Sequence, residues 1–346
     1  MYNLPTLPKR LAFPRNTCCW KLPGTETFRL ASTKFWKIYG TSLQNPDKTI
    51  CGIYEADEGY SFLQCDQAGA EALIVAYLCR NARFRLLFLN KIKSHTYVAL
   101  HAFKAQLQPY LKDIDFDELC SCTIGGLKQH PNWKAVSDLI ASTDNWESYR
   151  RYYFIAKMIC HSSNYDITAN ELRMHILLKS EGRVNLTIDQ AKSLLELYHE
   201  LFPEIREWHK EIQQLLYNDH TLYNLQGYPR VFTGVLTPKV FKKAYAFIPQ
   251  STVGTITNIC LTRLQNYIEA QNLPWDVLNN KHDSVLIQVP DGEIQHGGRV
   301  LTEYMNQSLT HKGVTFNMRS EVQFGKNWKP QSESNPDGLR QLVLTT

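Results

Sequence analysis

The chain has 346 residues, of which 43% are hydrophobic and 21% are charged, and this balance is typical of a globular protein with one large or two medium-sized domains. No stretch approaches the ~18 consecutive apolar residues of a membrane helix, and the first residues lack the apolar centre of a signal peptide. The sequence therefore predicts an intracellular protein with no membrane partner. The formal net charge of +5 permits a polyanionic partner without identifying one.

The cysteines carry information about the redox environment. There are nine, an odd number, and most stand among apolar neighbours. This pattern predicts reduced and mostly buried thiols rather than a disulfide framework.

The first predicted strand and helix lie near the start of the chain. Residues 1–27 are rich in proline, threonine and basic side chains without periodicity, so we expect an extended lead-in. The stretch GYSFLQCDQAGAEALIVAYLCR then predicts a strand over residues 61–65 and a helix from about residue 68. Asp66 lies at the junction of these two elements.

The middle of the chain, from about residue 85 to 215, is predicted to be mostly helical. Apolar residues recur at three- and four-residue spacing through YRRYYFIAKMICHSS, and again after Thr187, where a Thr-x-x-Gln pattern indicates a helix start. TLYNLQGYPRVF then predicts a hairpin that turns at Gly227.

Strand patterns return in the last part of the chain. A helix through VGTITNICLTRLQNYIEAQ is followed by the alternating strand LNNKHDSVLIQVP, a helix near residues 297–312 and a closing strand, VTFNMRSEVQF. Strands thus lie toward both ends of the chain with helices between them. This order predicts a sheet domain assembled from non-contiguous segments.

Two aspartates, Asp66 and Asp283, occupy strand ends in this predicted sheet. Carboxylates that converge from separate strands are a common way to hold two divalent metal ions for phosphoryl transfer, and Asp oxygens suit magnesium. Aspartate is also frequent in ordinary turns. The spacing of these two residues alone leaves both interpretations open.

Six segments, taken in chain order, distinguish between these interpretations. They are TFRLASTKFWKIYGTSLQN, LQCDQAGAEALIVAYL, AKMICHSSNYD, AYAFIPQSTVGTI, NKHDSVLIQV and EVQFGKNWKP. Each is similar to a motif of the family A DNA polymerases, and together they resemble the palm and fingers of that family over about residues 25–330, with a compact, phage-like motif set. The resemblance implies an α+β fold: an antiparallel palm sheet with helices and an inserted helical fingers subdomain.

The resemblance also implies a domain organisation and an activity. The expected parts are a lead-in at 1–27, the first part of the palm at 28–85, the fingers at 86–214 and the second part of the palm at 215–346. The expected reaction is template-directed DNA synthesis, in which the primer 3′-hydroxyl attacks the α-phosphorus of a deoxynucleoside triphosphate and pyrophosphate leaves. The implied cofactor is Mg²⁺, as two ions, with Mn²⁺ as a substitute. The implied partners are primer-template DNA and deoxynucleoside triphosphates.

The resemblance assigns a metal-binding role to residues of the second and fifth of these segments. Asp66 and Asp283 match the two catalytic, metal-binding aspartates of the family. The backbone carbonyl of Gln67 is the expected third ligand.

Residues at the nucleotide-binding positions follow from the same resemblance. Lys157 matches the lysine that meets the triphosphate, and His161 occupies the position of an aromatic residue against the sugar. Tyr165 matches the tyrosine that stacks at the template position, and Glu71 matches the steric gate that excludes a ribose 2′-hydroxyl. Taken singly, a helix lysine is usually solvated and an aromatic at helical spacing usually belongs to the core.

The primer and template contacts are expected at four positions. By resemblance, minor-groove and backbone contacts are implied at Arg29, Arg230, Gln250 and His282. Arginine and glutamine suit the acceptors that the grooves present.

The chain departs from the family pattern at several positions. Tyr153 stands where the family has an arginine four residues before Lys157. Arg151 is the candidate for that nucleotide-binding role, although on a regular helix it faces elsewhere. Ser284 replaces a glutamate after Asp283, and Asp166 replaces a glycine, which predicts an altered turn after the helix.

The resemblance begins only about 25 residues into the chain. We therefore expect no proofreading by this chain, and a weak grip on DNA unless a separate polypeptide carries a thumb or an exonuclease. Two further functions stay open. A single-subunit RNA polymerase would share the aspartates and Ser284, whereas Glu71 argues against it. A non-catalytic DNA-binding subunit that needs a thumb-bearing partner is the other alternative.

Overall fold

The structure is a computed structural model that describes residues 18–21, 24–33, 42–46, 50–80 and 83–345. Most of the expected lead-in and part of the first motif lie outside the described residues. Contacts divide the chain into two units. The sheet unit consists of the described residues up to Ala70, Gln250–Leu309 and the described residues from Thr315 onward; the helical unit consists of Glu71–Pro249 and Thr310–Val314.

The described residues form strands toward both ends of the chain and a run of helices between them. The strands are β1 Cys19–Lys21, β2 Ala31–Thr33, β3 Tyr60–Gln67, β4 Thr221–Tyr223, β5 Pro229–Val231, β6 Asp276–Lys281, β7 Ser284–Pro290, β8 Gln307–His311, β9 Val314–Met318, β10 Ser320–Gly325 and β11 Arg340–Gln341. The α-helices are α1 Ala70–Leu78, α2 Arg83–Leu89, α3 Ser94–Leu107, α4 Phe116–Ser121, α5 Ile124–Gln129, α6 Trp133–Ser142, α7 Tyr152–Ser163, α8 Ala169–Lys179, α9 Ile188–Leu201, α10 Glu204–Asp219, α11 Pro238–Ala270 and α12 Ile294–Met305.

A five-stranded sheet in the order β11-β10-β3-β7-β6 forms the centre of the sheet unit, and every neighbouring pair is antiparallel. β3 and β7 run side by side from Tyr60 opposite Pro290 to Asp66 opposite Ser284. β6 and β7 form a hairpin whose ladder closes where Lys281 opposes Ser284. The carboxyl end of β3 therefore lies beside the hairpin turn at His282 and Asp283.

One face of this sheet is covered by helices. Alternate residues of β3 and β7, such as Leu63, Cys65 and Ile287, are buried together with Leu264 of α11 and Leu301 of α12. Full burial of such a side chain stabilises the fold by ~1.5–3 kcal/mol. Because residues alternate between faces along a strand, this packing turns Gln64 and Asp66 to the other face.

The helical unit is built around α7, which packs against α3 and α9. The predicted helix start at Thr187 is confirmed: its hydroxyl accepts a hydrogen bond from the backbone N–H of Gln190, whose side chain accepts one from Thr187 N–H. The hairpin at Gly227 is also confirmed, with β4 paired to β5 and a φ of 84° at the glycine.

The turn after α7 is held by two buried side chains. The hydroxyl of Tyr198 donates to Asn164 Oδ1 at 2.7 Å, and His209 Nε2 lies 2.8 Å from the backbone oxygen of Asn164. Asp166 then adopts a φ of 59°. The aspartate thus takes the left-handed conformation in which a glycine has no steric penalty.

The α+β fold class with an antiparallel sheet is confirmed, whereas one predicted helix is wrong in part. Instead of a helix near 297–312, α12 ends at Met305 and β8 follows. A tight turn at Lys312 and Gly313, with φ values of 47° and 79°, joins β8 to β9. The predicted closing strand is two strands, β9 paired with β8 and β10 in the five-stranded sheet. At the break between them, Asn306 Oδ1 accepts a hydrogen bond from the backbone N–H of Ser320.

The predicted state of the cysteines is confirmed. All nine thiols are free, and five of them, Cys51, Cys65, Cys79, Cys160 and Cys260, are buried. Within the described parts of the chain, no helix is long and apolar enough to cross a membrane.

The backbone conformation of Asp166 predicts how substitutions there change stability. Asp166→Gly should raise the free energy of unfolding by up to about 1 kcal/mol, because glycine adopts positive φ without a steric penalty. Asp166→Val should lower it by roughly 1–2 kcal/mol, because a β-branched residue is strained there. Urea denaturation measures both values, with Asp166→Asn as a control that should change little. Equal stability of the Gly and Val variants would contradict the backbone argument.

Candidate active site

The sheet unit brings Asp66 and Asp283 to neighbouring strand ends. Asp66 is the last residue of β3 to oppose a residue of β7, and the backbone N–H of Gln67 donates to the backbone oxygen of Asp283 at 3.1 Å. Asp283 sits in the β6–β7 turn, where its own N–H donates to Lys281 O at 2.7 Å. These backbone bonds fix both aspartates at the same end of the sheet.

The surroundings of Asp66 disfavour the charged form of its carboxyl group. Its side chain reaches solvent, yet neighbouring protein atoms desolvate it, and the negative charges of Asp283 and Glu321 add to this effect. Together they raise the pKa of Asp66 to about 7, against an opposing effect of Lys281. Glu321 stands directly opposite Asp66 on β10.

Such a pair has the chemistry of a divalent metal site. Two carboxylates of like charge, one with a raised pKa, gain stabilisation from a cation between them. In the described residues no group of three or more His, Cys, Asp or Glu side chains could hold a metal, so the candidate site consists of the carboxylate pair alone. Gln67 is 1% exposed as a whole residue, and the role of its backbone carbonyl as third ligand stays a prediction.

Lys281 and Trp328 lie on the same face of the sheet as Asp66. Trp328 belongs to the EVQFGKNWKP segment, whereas sequence reasoning gave Lys281 no role. Trp328 packs with Phe62 and Leu286 on the Asp66 face of the sheet, and its indole N–H donates to Gln64 Oε1 at 2.6 Å. The ammonium of Lys281 lies 5.7 Å from the centre of the indole ring. The period-two alternation of a strand was the signal that could have placed Lys281 on this face.

The predicted DNA-contact residues of the sheet unit lie on separate elements. The segment that carries Arg29 runs close to α11: an added Cβ at Gly254 would lie 3.1 Å from Arg29 Cγ and 3.2 Å from Thr27 O. Asn258 Nδ2 donates to Phe28 O at 2.9 Å. Gln250 is a half-buried residue of α11.

His282 precedes the catalytic candidate Asp283 in the hairpin turn. Its φ of 60° places the backbone in the left-handed region. Its Nε2 lies 3.5 Å from Asn45 Nδ2. The imidazole therefore lies next to the side chain of Asn45.

In the helical unit, α7 presents Tyr153, Lys157 and His161 at four-residue spacing, which places them on one helix face. Lys157 is exposed. The His161 ring also reaches solvent, but desolvation lowers its pKa, with Lys157 acting in the same direction and Glu71 against it. This face carries a positive charge next to a neutral imidazole.

Tyr153 pairs with His95, a residue that sequence reasoning missed. His95 Nε2 lies 2.6 Å from the Tyr153 hydroxyl, and the two rings meet edge to face at 4.6 Å. Burial, and then the charges of Lys157 and Lys93, lower the pKa of His95 to about 3. The imidazole is therefore neutral at pH 7. The contact spans 58 positions of sequence, so no local pattern could reveal it.

Glu71 and Tyr165 also meet within the helical unit. The Tyr165 hydroxyl donates to Glu71 Oε2 at 2.5 Å. Glu71 lies in the first turn of α1 and Tyr165 follows the end of α7. The hydrogen bond couples the side chain predicted to exclude ribose to the side chain predicted to stack at the template position.

The last two predicted site residues, Arg151 and Arg230, contact aromatic rings. Arg151 precedes α7, outside regular helix geometry, with its Nε donating to Asp144 O at 3.0 Å and its guanidinium 4.6 Å from the centre of the Phe154 ring. The guanidinium of Arg230 lies 4.4 Å from the centre of the Phe232 ring. The triphosphate role of Arg151 and the DNA role of Arg230 stay predictions.

Comparisons with known proteins identify the family of the chain. The sequence model of DNA polymerase family A matches residues 137–330, more than half of the chain. The chain therefore belongs to DNA polymerase family A, and the resemblance seen in its motifs is confirmed.

Two relatives show how far the similarity extends. The chain is 20% identical over 151 residues to "DNA polymerase I B, mitochondrial" of Oryza sativa subsp. japonica, an alignment that covers 42% of the chain and 15% of the rice protein. The structure of this chain is similar to the "POL domain of Pol1 from M. smegmatis complex with DNA primer-template and dNTP", with a TM-score of 0.64 and 20% identity over 90% of this chain. The chain spans 47% of that solved structure. At this identity the structural similarity shows the fold.

The raised pKa of Asp66 leads to a prediction about pH. A carboxyl whose pKa rises on folding contributes stability that is present below its unfolded pKa, near 4, and is lost as pH rises through about 7. The Asp66→Asn variant has no carboxyl to ionise at this position, so it does not lose this stability as the pH rises. Without divalent cations, the variant should be more stable than the wild type at about pH 8, by on the order of 1 kcal/mol after solvent screening, and nearly equal to it at about pH 5. Chemical denaturation at both pH values measures the difference.

Asp291→Asn is the matched control in the same unit. Asp291 accepts a hydrogen bond from Ser61 at 2.7 Å and pairs with Lys326 at 2.5 Å, and these contacts lower its pKa, with Lys326 the larger cause. The Asp291→Asn substitution should therefore lower the stability of the chain at both pH values. The same stability change for Asp66→Asn at both pH values would contradict the claim that the charged form of Asp66 destabilises the folded chain.

Proposed function

We propose that the chain is a template-directed DNA polymerase that adds deoxynucleotides to a primer 3′-hydroxyl, with the sheet unit as the palm and the helical unit as the fingers. The observation that carries the proposal is the placement of Asp66 and Asp283 on adjacent strand ends of an antiparallel sheet, in a chain of this family. The structural relative is a complex with primer-template DNA and dNTP, which supports these two classes of partner for this chain.

Asp66 and Asp283 would hold two Mg²⁺ ions, for which Mn²⁺ can substitute. When bound, such ions activate the attacking hydroxyl and neutralise the charge of the leaving oxygens. Asp66 and Asp283 supply the negative charge and the hard oxygen ligands for this purpose. Their repulsion in the apo chain, seen in the raised pKa of Asp66, favours cation binding.

The helix face of α7 would bind the triphosphate. Lys157 is the exposed positive charge on this face, and an ammonium suits phosphate oxygens. His95 and Tyr153, held together at 2.6 Å, offer neutral hydrogen-bonding groups at the position where the family pattern has an arginine. His161 would lie against the sugar.

Glu71 and Tyr165 would select the sugar and position the template. The hydrogen bond from Tyr165 fixes the Glu71 carboxylate, and a fixed side chain excludes a ribose 2′-hydroxyl better than a mobile one. Arg29, Arg230, Gln250 and His282 would contact primer and template, for which arginine and amide donors match acceptors in the groove.

A second candidate is an RNA-polymerase-like enzyme, favoured by Ser284 in place of a carboxylate after Asp283. Glu71 argues against it, because admission of ribonucleotides requires space at the steric gate. A third is a non-catalytic DNA-binding subunit. Retention of Asp66, Asp283 and Lys157 argues for catalysis.

Primer extension tests the proposal directly. The purified chain, given a primed DNA template and Mg²⁺, should extend with deoxynucleotides and not with ribonucleotides. Asp283→Ala should reduce the rate by about 10³-fold or more, because metal binding supplies several kcal/mol of transition-state stabilisation. Glu71→Ala should retain extension and improve ribonucleotide use by about 10- to 100-fold.

The control and the contrary results are equally specific. Glu333→Ala removes an exposed carboxylate of the sheet unit and should leave extension unchanged. Ribonucleotide extension by the wild type would favour the RNA polymerase. DNA binding in a gel shift without extension, by a folded chain, would favour the non-catalytic subunit or dependence on a separate polypeptide with a thumb.

A further inference from the structure

The hairpin between β6 and β7 places a lysine beside the carboxylate pair. Lys281 opposes Ser284 across the hairpin, and Ser284 opposes Asp66 across the β3–β7 ladder. Residues directly opposite in antiparallel strands share one face of the sheet, and neighbouring strands are ~4.8 Å apart. Lys281 and Asp66 therefore share one face in a single row, separated only by the uncharged Ser284.

The lysine side chain lies over a fixed aromatic ring. Its ammonium is 5.7 Å from the centre of the Trp328 ring, a distance at which the ring face attracts a cation. The indole is itself held by Gln64 at 2.6 Å and by an edge contact with Tyr54 at 5.9 Å. Nothing in the described chain forms an ion pair within 4.0 Å of Lys281. The ammonium thus lies over the ring, with no carboxylate of the described residues in ion-pair contact.

The position of Lys281 matters because of the charges around Asp66. Glu321 stands directly opposite Asp66 on β10, and Asp283 lies in the turn directly after Lys281, so carboxylates crowd the end of the sheet at which the ammonium stands. Ser284 adds no charge at the next position. Lys281 therefore supplies the local compensation for the carboxylate pair.

We propose that Lys281 is a resident counter-cation of the Asp66–Asp283 pair and limits how tightly that pair binds a divalent metal ion. The proposal rests on the proposed function, since it takes the pair to be the metal site. The ammonium offsets part of the carboxylate repulsion in the metal-free chain, and it repels an arriving divalent cation. Lys281 is a positioning residue in this account, because it acts through Asp66.

A metal-binding measurement tests this role without reference to polymerase activity. Mn²⁺ is titrated into the full chain, and free Mn²⁺ is followed by electron paramagnetic resonance. Lys281→Met keeps an unbranched stem over Trp328 but removes the charge, so its apparent Kd for Mn²⁺ should fall about tenfold, equivalent to ~1.4 kcal/mol. Lys281→Arg should restore a value close to that of the wild type, which a purely steric role would not explain.

Controls separate this effect from net charge and from misfolding. Lys179→Met removes an exposed lysine at the end of α8 and should leave the Kd unchanged. Lys281→Gln provides a second neutral variant if the Met variant does not fold. The metal-free Lys281→Met chain should also show a lower melting temperature than the wild type, and saturating Mn²⁺ should remove most of that difference.

The possible results distinguish a failure of the role of Lys281 from a failure of the proposed function. If the wild type binds Mn²⁺ in a manner that Asp66→Asn abolishes, and neutral variants of Lys281 bind it equally or more weakly, the counter-cation role is wrong and the polymerase proposal stands. If the wild type shows no Mn²⁺ binding that depends on Asp66 and Asp283, both the metal site and the role of Lys281 are overturned.

Discussion

The antiparallel register of β3 with β7 is the constraint on which the candidate active site depends. Leu63, Cys65 and Ile287 are buried against helices α11 and α12, and this burial fixes which residues of each strand point inward. A slip of one residue would turn Asp66 into the apolar core and expose Cys65. The same contacts that stabilise the sheet therefore set the position of the carboxylate, and the backbone bond from Gln67 to Asp283 brings the second carboxylate to it.

This arrangement carries an electrostatic cost that is tied to its function. Asp283 and Glu321 disfavour the charged form of Asp66, so ionisation of that carboxyl opposes folding of the metal-free chain. A site that binds cations needs such an excess of negative charge, and local instability of this kind is common where chemistry occurs. In the helical unit the positive charge of Lys157 and the neutral His95–Tyr153 pair are held by helix spacing and burial, so the chemistry of each unit follows from its own packing.

Sequence reasoning found the features that depend on local pattern and missed those that depend on distant register. The strand end at Asp66, the capping residues at Thr187 and the turn at Gly227 follow from short-range periodicity and turn chemistry. Lys281 comes near Asp66 only because two ladders place it there, and His95 meets Tyr153 across 58 positions. The strand β8 was predicted as helix because the Lys312–Gly313 turn, which decides the hairpin, was not given weight against apolar spacing.

The most direct test of the central claim locates the metal on the chain itself. Fe²⁺ bound in place of Mg²⁺, with ascorbate and peroxide, generates hydroxyl radicals that cut the backbone next to the ion. If Asp66 and Asp283 share a metal site, the fragments should map to two places at once, near residue 66 and near residue 283, and excess Mg²⁺ should suppress both cuts together. Cleavage at only one of these places, or elsewhere in the chain, would contradict a shared site.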